Sequence, residues 1–161
     1  MAQLLITGMS GAGKTTLLLE LARRGHLTVD TDYGGWADHD GGPWNVARMT
    51  DLLASRRDVV VAGTVENQVE FYDRFDYVIL LSAPLDVLFD RVTHRTNNPY
   101  GNSPEERDAI RRDTAEVEPL LRRGAHLELD GRRPVSELAD AIESLSAAAP
   151  EKKGIPQRGV R

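Results

Sequence analysis

The sequence predicts an α/β fold: a three-layer sandwich in which helices cover both faces of a mostly parallel, five-stranded sheet. Three observations carry that expectation. Short apolar runs alternate with amphipathic stretches along nearly the whole chain, the pattern of repeated strand–helix units. One run, Asp76-Tyr77-Val78-Ile79-Leu80-Leu81-Ser82, is almost entirely apolar, as a parallel strand covered on both faces must be. The composition is that of an ordinary globular domain, with 161 residues, 40% hydrophobic and 28% charged.

The elements follow in order. Residues 3–7 read as a buried strand, and a glycine-rich run, Gly8 to Gly13, leads into a helix from Lys14 to about Arg24. Leu17, Leu18 and Leu21 give that helix an apolar face, and Gly25 is a stop signal. Residues 26–30 form a second strand, 33–43 a glycine-rich polar loop, 44–57 a helix and 58–62 a third strand. A short helix over 66–74 precedes the fourth strand, 76–82. Pro84 opens a helix to residue 95. Ser103 caps the next helical stretch, with Glu106 at the capping-box position, and helical segments run to about Arg123. Strand 125–129 and helix 135–147 complete a single domain, 1–147, with a small lid near 96–112. The tail 148–161, rich in proline, glycine and charge, reads as flexible.

Composition also excludes. There is no cysteine, so disulfide scaffolds, thiol catalysis and thiolate-bound metals are out. The net charge of -5 argues against duplex nucleic acid as a partner. Apolar runs fall well short of the roughly 20 residues of a bilayer span, and the first residues lack signal-peptide regions. The expectation is a cytoplasmic protein with no membrane partner, as a monomer or homodimer.

The chemistry is concentrated in Gly8-Met9-Ser10-Gly11-Ala12-Gly13-Lys14-Thr15, which matches G-x-x-x-x-G-K-[ST] throughout, between a strand and a helix. Such a loop turns consecutive backbone N–H groups around a phosphate, and the helix N-terminus adds partial positive charge. Ser10, Gly11, Ala12, Gly13 and Thr16 belong to the same cradle. Lys14 can reach the β- and γ-phosphates, and the Thr15 hydroxyl can ligate Mg²⁺. Of twenty basic residues only three are lysines, Lys14, Lys152 and Lys153, so the one lysine inside the domain is at the phosphate site. A compact mobile point charge is what that place requires; arginine is a rigid fork.

The destination of the γ-phosphate is read from other features. No Asn-Lys pair is present for a GTP-type base element, and the third strand ends in Ala62-Gly63-Thr64 without an acid. These absences favour a small-molecule phosphotransferase using ATP and Mg²⁺. The alternative is a nucleotide-binding regulatory or partner protein that hydrolyses ATP slowly. Asp30-Thr31-Asp32 ends the second strand, where ligands of open α/β sheets collect. Asp32 is assigned to the acceptor hydroxyl and Asp30 to the magnesium side. Arg91 and Arg95, four residues apart and so on one helix face, enter the lid, and Arg107, Arg111 and Arg112 follow it. These arginines suit closure over a transferring phosphoryl group.

With these motifs the chain resembles, over residues 2–147, the P-loop kinases of the adenylate kinase-like group, especially shikimate kinases and broad-specificity nucleoside monophosphate kinase relatives. Residues 62–112 look most like small actinobacterial-type P-loop ATPases grouped with them. The resemblance implies a P-loop NTPase fold with strand order 2-3-1-4-5 and Mg-ATP as the usual partner. It implies that Asp30 and Asp32 act as a D-x-D pair and that Arg91 and Arg95 contact adenine or phosphate. It also implies that Arg132, Arg133 and Pro134 help hold the base. Ala62-Gly63-Thr64-Val65-Glu66-Asn67-Gln68 replaces the three-glycine run of shikimate kinases, with Gly63, Asn67 and Gln68 facing an acceptor. Arg48 is the candidate for the arginine that grips a carboxylate. Together with Asp32 and Tyr33 these bound an acceptor site for a small molecule other than shikimate. Trp36 and Trp44 either stack on that acceptor or pack the 33–43 loop against the sheet.

Overall fold

The computed structural model describes residues 2–39, 41–94 and 103–148. Its strands are β1 (Gln3–Thr7), β2 (Thr28–Asp30), β3 (Val59–Ala62), β4 (Tyr77–Ser82) and β5 (Leu127–Asp130). Its helices are α1 (Lys14–Arg23), α2 (Val46–Ser55), α3 (Leu85–His94), α4 (Pro104–Glu116), α5 (Glu118–Gly124) and α6 (Val135–Ala148), with a 3₁₀ helix at Gln68–Arg74. All strand pairings within the sheet are parallel and its order is β2-β3-β1-β4-β5.

Strand alternation sorts the core into two layers. Leu4 and Ile6 of β1 and Val60 and Ala62 of β3 pack with Leu17, Leu18 and Leu21 of α1 and Leu138, Ala139 and Ile142 of α6. Leu5, Val59 and Val61 point the other way, onto Trp44, Met49, Leu53, Phe71 and Phe75. Each such large side chain contributes about 1.5–3 kcal/mol by leaving water. The consequence for function is geometric: β1, at the centre, is packed on both faces, and the loop springs from its carboxyl end.

Element ends differ from the sequence expectation for local reasons. β2 begins at Thr28 because the His26 N–H is still bonded to Leu21 O (3.0 Å) as the end of α1. β5 begins at Leu127 because His126 makes the preceding rung differently. Its ring Nδ1 accepts the Val78 N–H at 2.9 Å, while its own N–H donates to Val78 O at 2.7 Å. Helices α4 and α5 are separate because Pro119, in the first turn of α5, has no N–H to continue the ladder. The Ser103 cap is as expected: its Oγ accepts from Glu106 N at 3.1 Å and donates to the Glu106 carboxylate at 3.0 Å. The lid segment 96–102, Arg95 and the tail from 149 lie outside the described residues.

Candidate phosphate-binding site

The loop Gly8–Gly13 joins β1 to α1 and is shaped by positive φ at Gly11 (87°) and Gly13 (107°). A side chain at Gly11 would start 2.9 Å from Leu88 O and 3.1 Å from Val92 Cγ1, so α3 can seat against the loop only because the residue is glycine. Gly13 is the N-cap of α1 and caps it without a side chain, which leaves the first-turn N–H groups facing outward. The Lys14 ammonium folds back over this loop and donates to the carbonyls of Gly8 and of Met9, the latter at 3.1 Å.

Thr15, one residue into α1, meets the end of β2. Its hydroxyl donates to Asp30 Oδ2 at 2.8 Å, and the other Asp30 oxygen accepts from Asp32 N at 3.2 Å. The strand pairing brings these together: β2 reaches Asp30 opposite Ala62 of β3, and β3 lies beside β1, from which the loop springs. Thr31 between them turns inward, buried, with its hydroxyl on Ala62 O at 2.8 Å. The chain turns here, with Tyr33 N on Asp30 O at 3.2 Å, and it leaves Asp30 against Thr15 and Asp32 on the cleft.

An open cleft of about 610 Å³ runs from this corner. One wall is the loop and the first turn of α1, Ser10 to Thr16, with Asp32 and Tyr33 at the β2 end. The other end is lined by Asp90, Arg91 and His94 of α3 and by Gly131, Arg133, Val135 and Leu138 around the start of α6. A hydroxyl, a carboxylate, an ammonium and outward amides around one opening are the donor set that a magnesium-bound polyphosphate requires. Thr15 and Asp30 are placed where they could hold a metal, and the loop amides and Lys14 where they could hold phosphates.

Arg91 is built into the walls. Its Nη1 donates to Gly11 O (3.2 Å) and Ala12 O (3.0 Å), and its Nη2 to Gly131 O (2.6 Å). It thereby ties the phosphate loop to the β5–α6 turn. In that turn Arg132 is turned aside. It forms a fork on Asp130 (2.8 Å for the closest pair) and does not line the cleft, whereas Arg133 does. The paired guanidinium holds the Asp130 carboxyl down to about 2. Pro134 accepts, through its carbonyl, the N–H groups of Glu137 and Leu138 and so starts α6.

Several residues assigned to an acceptor are engaged elsewhere. Gln68 is buried, with Nε2 on Thr7 Oγ1 (3.0 Å) and Tyr72 OH (2.8 Å) and Oε1 on Val65 N (2.9 Å). Asn67 brackets the backbone of Trp44, accepting its N–H at 2.9 Å and donating to its carbonyl at 3.0 Å. Arg48 stacks 4.1 Å over Trp36 and donates to Gly34 O and Gly35 O, fastening the 33–43 loop. Trp44 is buried edge-on to Phe71 with centroids 5.8 Å apart, so it packs the loop to the sheet. Gly63 is covered by Thr31 and Trp44, leaving no room for a side chain. None of these five lines the cleft. Polar and aromatic types in a loop satisfy a backbone as readily as a ligand, and sequence carries no sign of which. On α4, Arg107 donates to Thr93 Oγ1 at 2.8 Å and Arg111 lies 5.2 Å over the Phe89 ring, both holding α4 to α3.

Two sets of residues escaped the sequence reading. Asp90 and His94 flank Arg91 on α3, and the i, i+4 spacing of the pair is a visible signal. Leu19, Val135 and Leu138 give the far end an apolar wall, and Leu19 is 66% exposed although it is leucine.

The profile of the AAA domain family matches residues 4–112. Among curated proteins, an S-adenosylmethionine synthase of Parvibaculum lavamentivorans (strain DS-1) is 33% identical over 119 residues, 69% of this chain and 28% of that protein. An uncharacterized protein, YqaC, of Bacillus subtilis (strain 168) is 30% identical over 105 residues, 60% of this chain and 58% of that one. The match thus spans under two-thirds of either relative's length. Among solved structures, shikimate kinase from Acinetobacter baumannii in complex with shikimate superposes with a TM-score of 0.68 at 24% identity, covering 94% of this chain and 96% of that one. Deoxyadenosine kinase from M. mycoides with bound dATP gives 0.61 at 13% identity, over 90% and 99% of the two chains. A gluconokinase from Sinorhizobium meliloti 1021 gives 0.58 at 19% identity, over 91% and 93%. At these identities the likeness concerns the fold: a P-loop NTPase sheet of the kind small kinases use. With the family profile running through 4–112, well over half the chain, this protein belongs to the AAA domain family, as a P-loop member with an adenylate kinase-like fold.

Proposed function

We propose that this protein is a small-molecule kinase that moves the γ-phosphoryl group of ATP directly to a hydroxyl or phosphate oxygen of a small metabolite or nucleotide. The observation that carries the reading is the corner where Thr15 donates to Asp30 at 2.8 Å while Lys14 and Asp32 line the same cleft. Lys14 leaves the loop carbonyls for the β- and γ-phosphates. Thr15 and Asp30 hold Mg²⁺, which when bound neutralises charge on the phosphate oxygens. Asp32 accepts the acceptor hydroxyl's hydrogen bond and aims its oxygen at the γ-phosphorus. The new P–O bond forms there, the bridging P–O bond to the β-phosphate breaks, ADP departs and the hydroxyl proton passes to Asp32. Arg133 and the apolar wall of Val135 and Leu138 suit the base, Arg91 braces the loop against the β5–α6 turn, and Arg95 is the arginine proposed for the phosphoryl end.

The acceptor site is the end of the cleft at Asp32 and Tyr33. It is narrower than the sequence suggests, because Arg48, Asn67 and Gln68 are spoken for. Fold neighbours include kinases named for shikimate, gluconate and deoxyadenosine, compounds that all carry hydroxyl groups, and a hydroxyl acceptor is in keeping with that. The test is ADP formation from Mg-ATP across a panel of small polyols, hydroxy acids, nucleosides and nucleotides. Acceleration over the basal rate by one chemical class is expected. A slow ADP release that no acceptor changes, together with firm Mg-ATP binding, would favour the regulatory reading instead.

A further inference from the structure

β3 runs into Gly63-Thr64, and Thr64 reaches back to the first glycine of the phosphate loop. Its hydroxyl donates to Gly8 O at 2.6 Å and accepts from Gly8 N at 3.2 Å. With that proton committed, the 3.1 Å contact between Thr64 Oγ1 and Thr7 Oγ1 has one direction: Thr7 donates. Thr7 in turn accepts from Gln68 Nε2 at 3.0 Å. The hydrogens therefore run one way, from Gln68 through Thr7 and Thr64 to the Gly8 carbonyl, and bonds in such a chain strengthen one another. Gly8, Thr7 and Gln68 are all buried. The same Gly8 carbonyl also receives the Lys14 ammonium, which spans to Met9 O.

We propose that Thr64 is a positioning residue of the nucleotide site. It keeps the Gly8 carbonyl hydrogen-bonded when Lys14 leaves for a phosphate, so that the lysine exchanges between loop and ligand at low cost. The inference rests on the nucleotide-binding reading above. An ammonium has three N–H donors, so one that bridges two carbonyls must release at least one of them to grip both the β- and the γ-phosphate. If Thr64 had no hydroxyl, Gly8 O would be paired by Lys14 in the free protein and left as a buried acceptor without a donor in the bound one. The penalty then falls on binding. Loss of a side chain that only filled space would weaken both states alike.

The experiment compares wild type, Thr64→Val, Thr64→Ala and Thr64→Ser by calorimetric titration with Mg-ATP and by thermal unfolding of the ligand-free protein. Valine keeps the shape and removes the hydroxyl. About a tenfold rise in Kd is expected for Val and Ala, the cost of one orphaned buried carbonyl, with Ser within about threefold of wild type. Unchanged affinity in Val and Ala would overturn the proposal. So would an affinity loss in Ser equal to that in Val, since the hydroxyl would then not be the cause. Ala serves if Val proves too bulky to fold. If wild type itself bound no Mg-ATP, the nucleotide reading would fail first and this inference with it.

Discussion

Arg91→Ala removes a side chain that ties the phosphate loop to the β5–α6 turn. Three hydrogen bonds are lost, but two of them share Nη1 on adjacent carbonyls, Gly11 O and Ala12 O, and count as one bifurcated bond. The 2.6 Å bond to Gly131 O is the second. A hydrogen bond from a charged donor contributes about 1.5–3 kcal/mol. At partial burial the lower end applies, which makes the loss about 3 kcal/mol for the pair. For a domain of this size each kcal/mol moves Tm by about 2–4 °C, so thermal unfolding followed by circular dichroism should fall by about 6–12 °C. Arg91→Lys keeps the charge but has no fork to serve both walls, and should recover less than half. A Tm within about 1 °C of wild type for Arg91→Ala would refute the reasoning, because the guanidinium would then contribute nothing to holding the two walls together.

Other consequences are equally direct. Asp30→Asn loses the charge beside Thr15 Oγ1, and we expect a higher Mg²⁺ requirement for ATP turnover with the nucleotide Kd little changed; an unchanged magnesium titration would remove Asp30 from the metal. Asp32→Asn should cut acceptor-dependent transfer by about 10²-fold, the scale of a lost positioned base, while leaving ATP binding intact; equal loss of both would mean that Asp32 serves the nucleotide. Hydrogen bonds from Arg23 and Arg24 hold the Glu20 carboxyl down to about 2, from an ordinary 4.5. A depressed pKa contributes stability that is present above about 4.5 and lost as pH falls toward 2. Glu20→Gln should therefore show a shallower fall of Tm across that window than wild type, and parallel curves would discard the contribution.

What the sequence made legible was backbone chemistry that only certain residues can perform. The glycines at 11 and 13 sit at positive φ, where L side chains are strained, and Lys14 follows a strand by the fixed spacing of a phosphate loop. The apolar run of β4 and the alternation of strands with helices along the chain predicted a parallel sheet, and the order β2-β3-β1-β4-β5 agrees with the order the resemblance implied. The place of Asp30 beside Thr15 was legible because β2 ends there, next to the strand that flanks the loop-bearing one. Asn67, Gln68 and Arg48 were misread as acceptor ligands because their partners are main-chain atoms of Trp44, Val65, Gly34 and Gly35 and, for Gln68, the hydroxyls of Thr7 and Tyr72. Those neighbours are set by how the loop folds, which residue types do not encode. Arg132 was misplaced for a similar reason: Asp130, two residues back, captures it locally.

The central claim is that Lys14 and its loop receive the phosphates of a nucleotide. Calorimetric titration of Mg-ATP into wild type and Lys14→Ala, with circular dichroism to verify that both are folded, tests it most directly. The account predicts one nucleotide bound per chain in wild type and an affinity at least about 10²-fold lower in the variant, the loss of a charged contact to phosphate of about 3 kcal/mol. Equal binding heats and affinities in two equally folded proteins would contradict it.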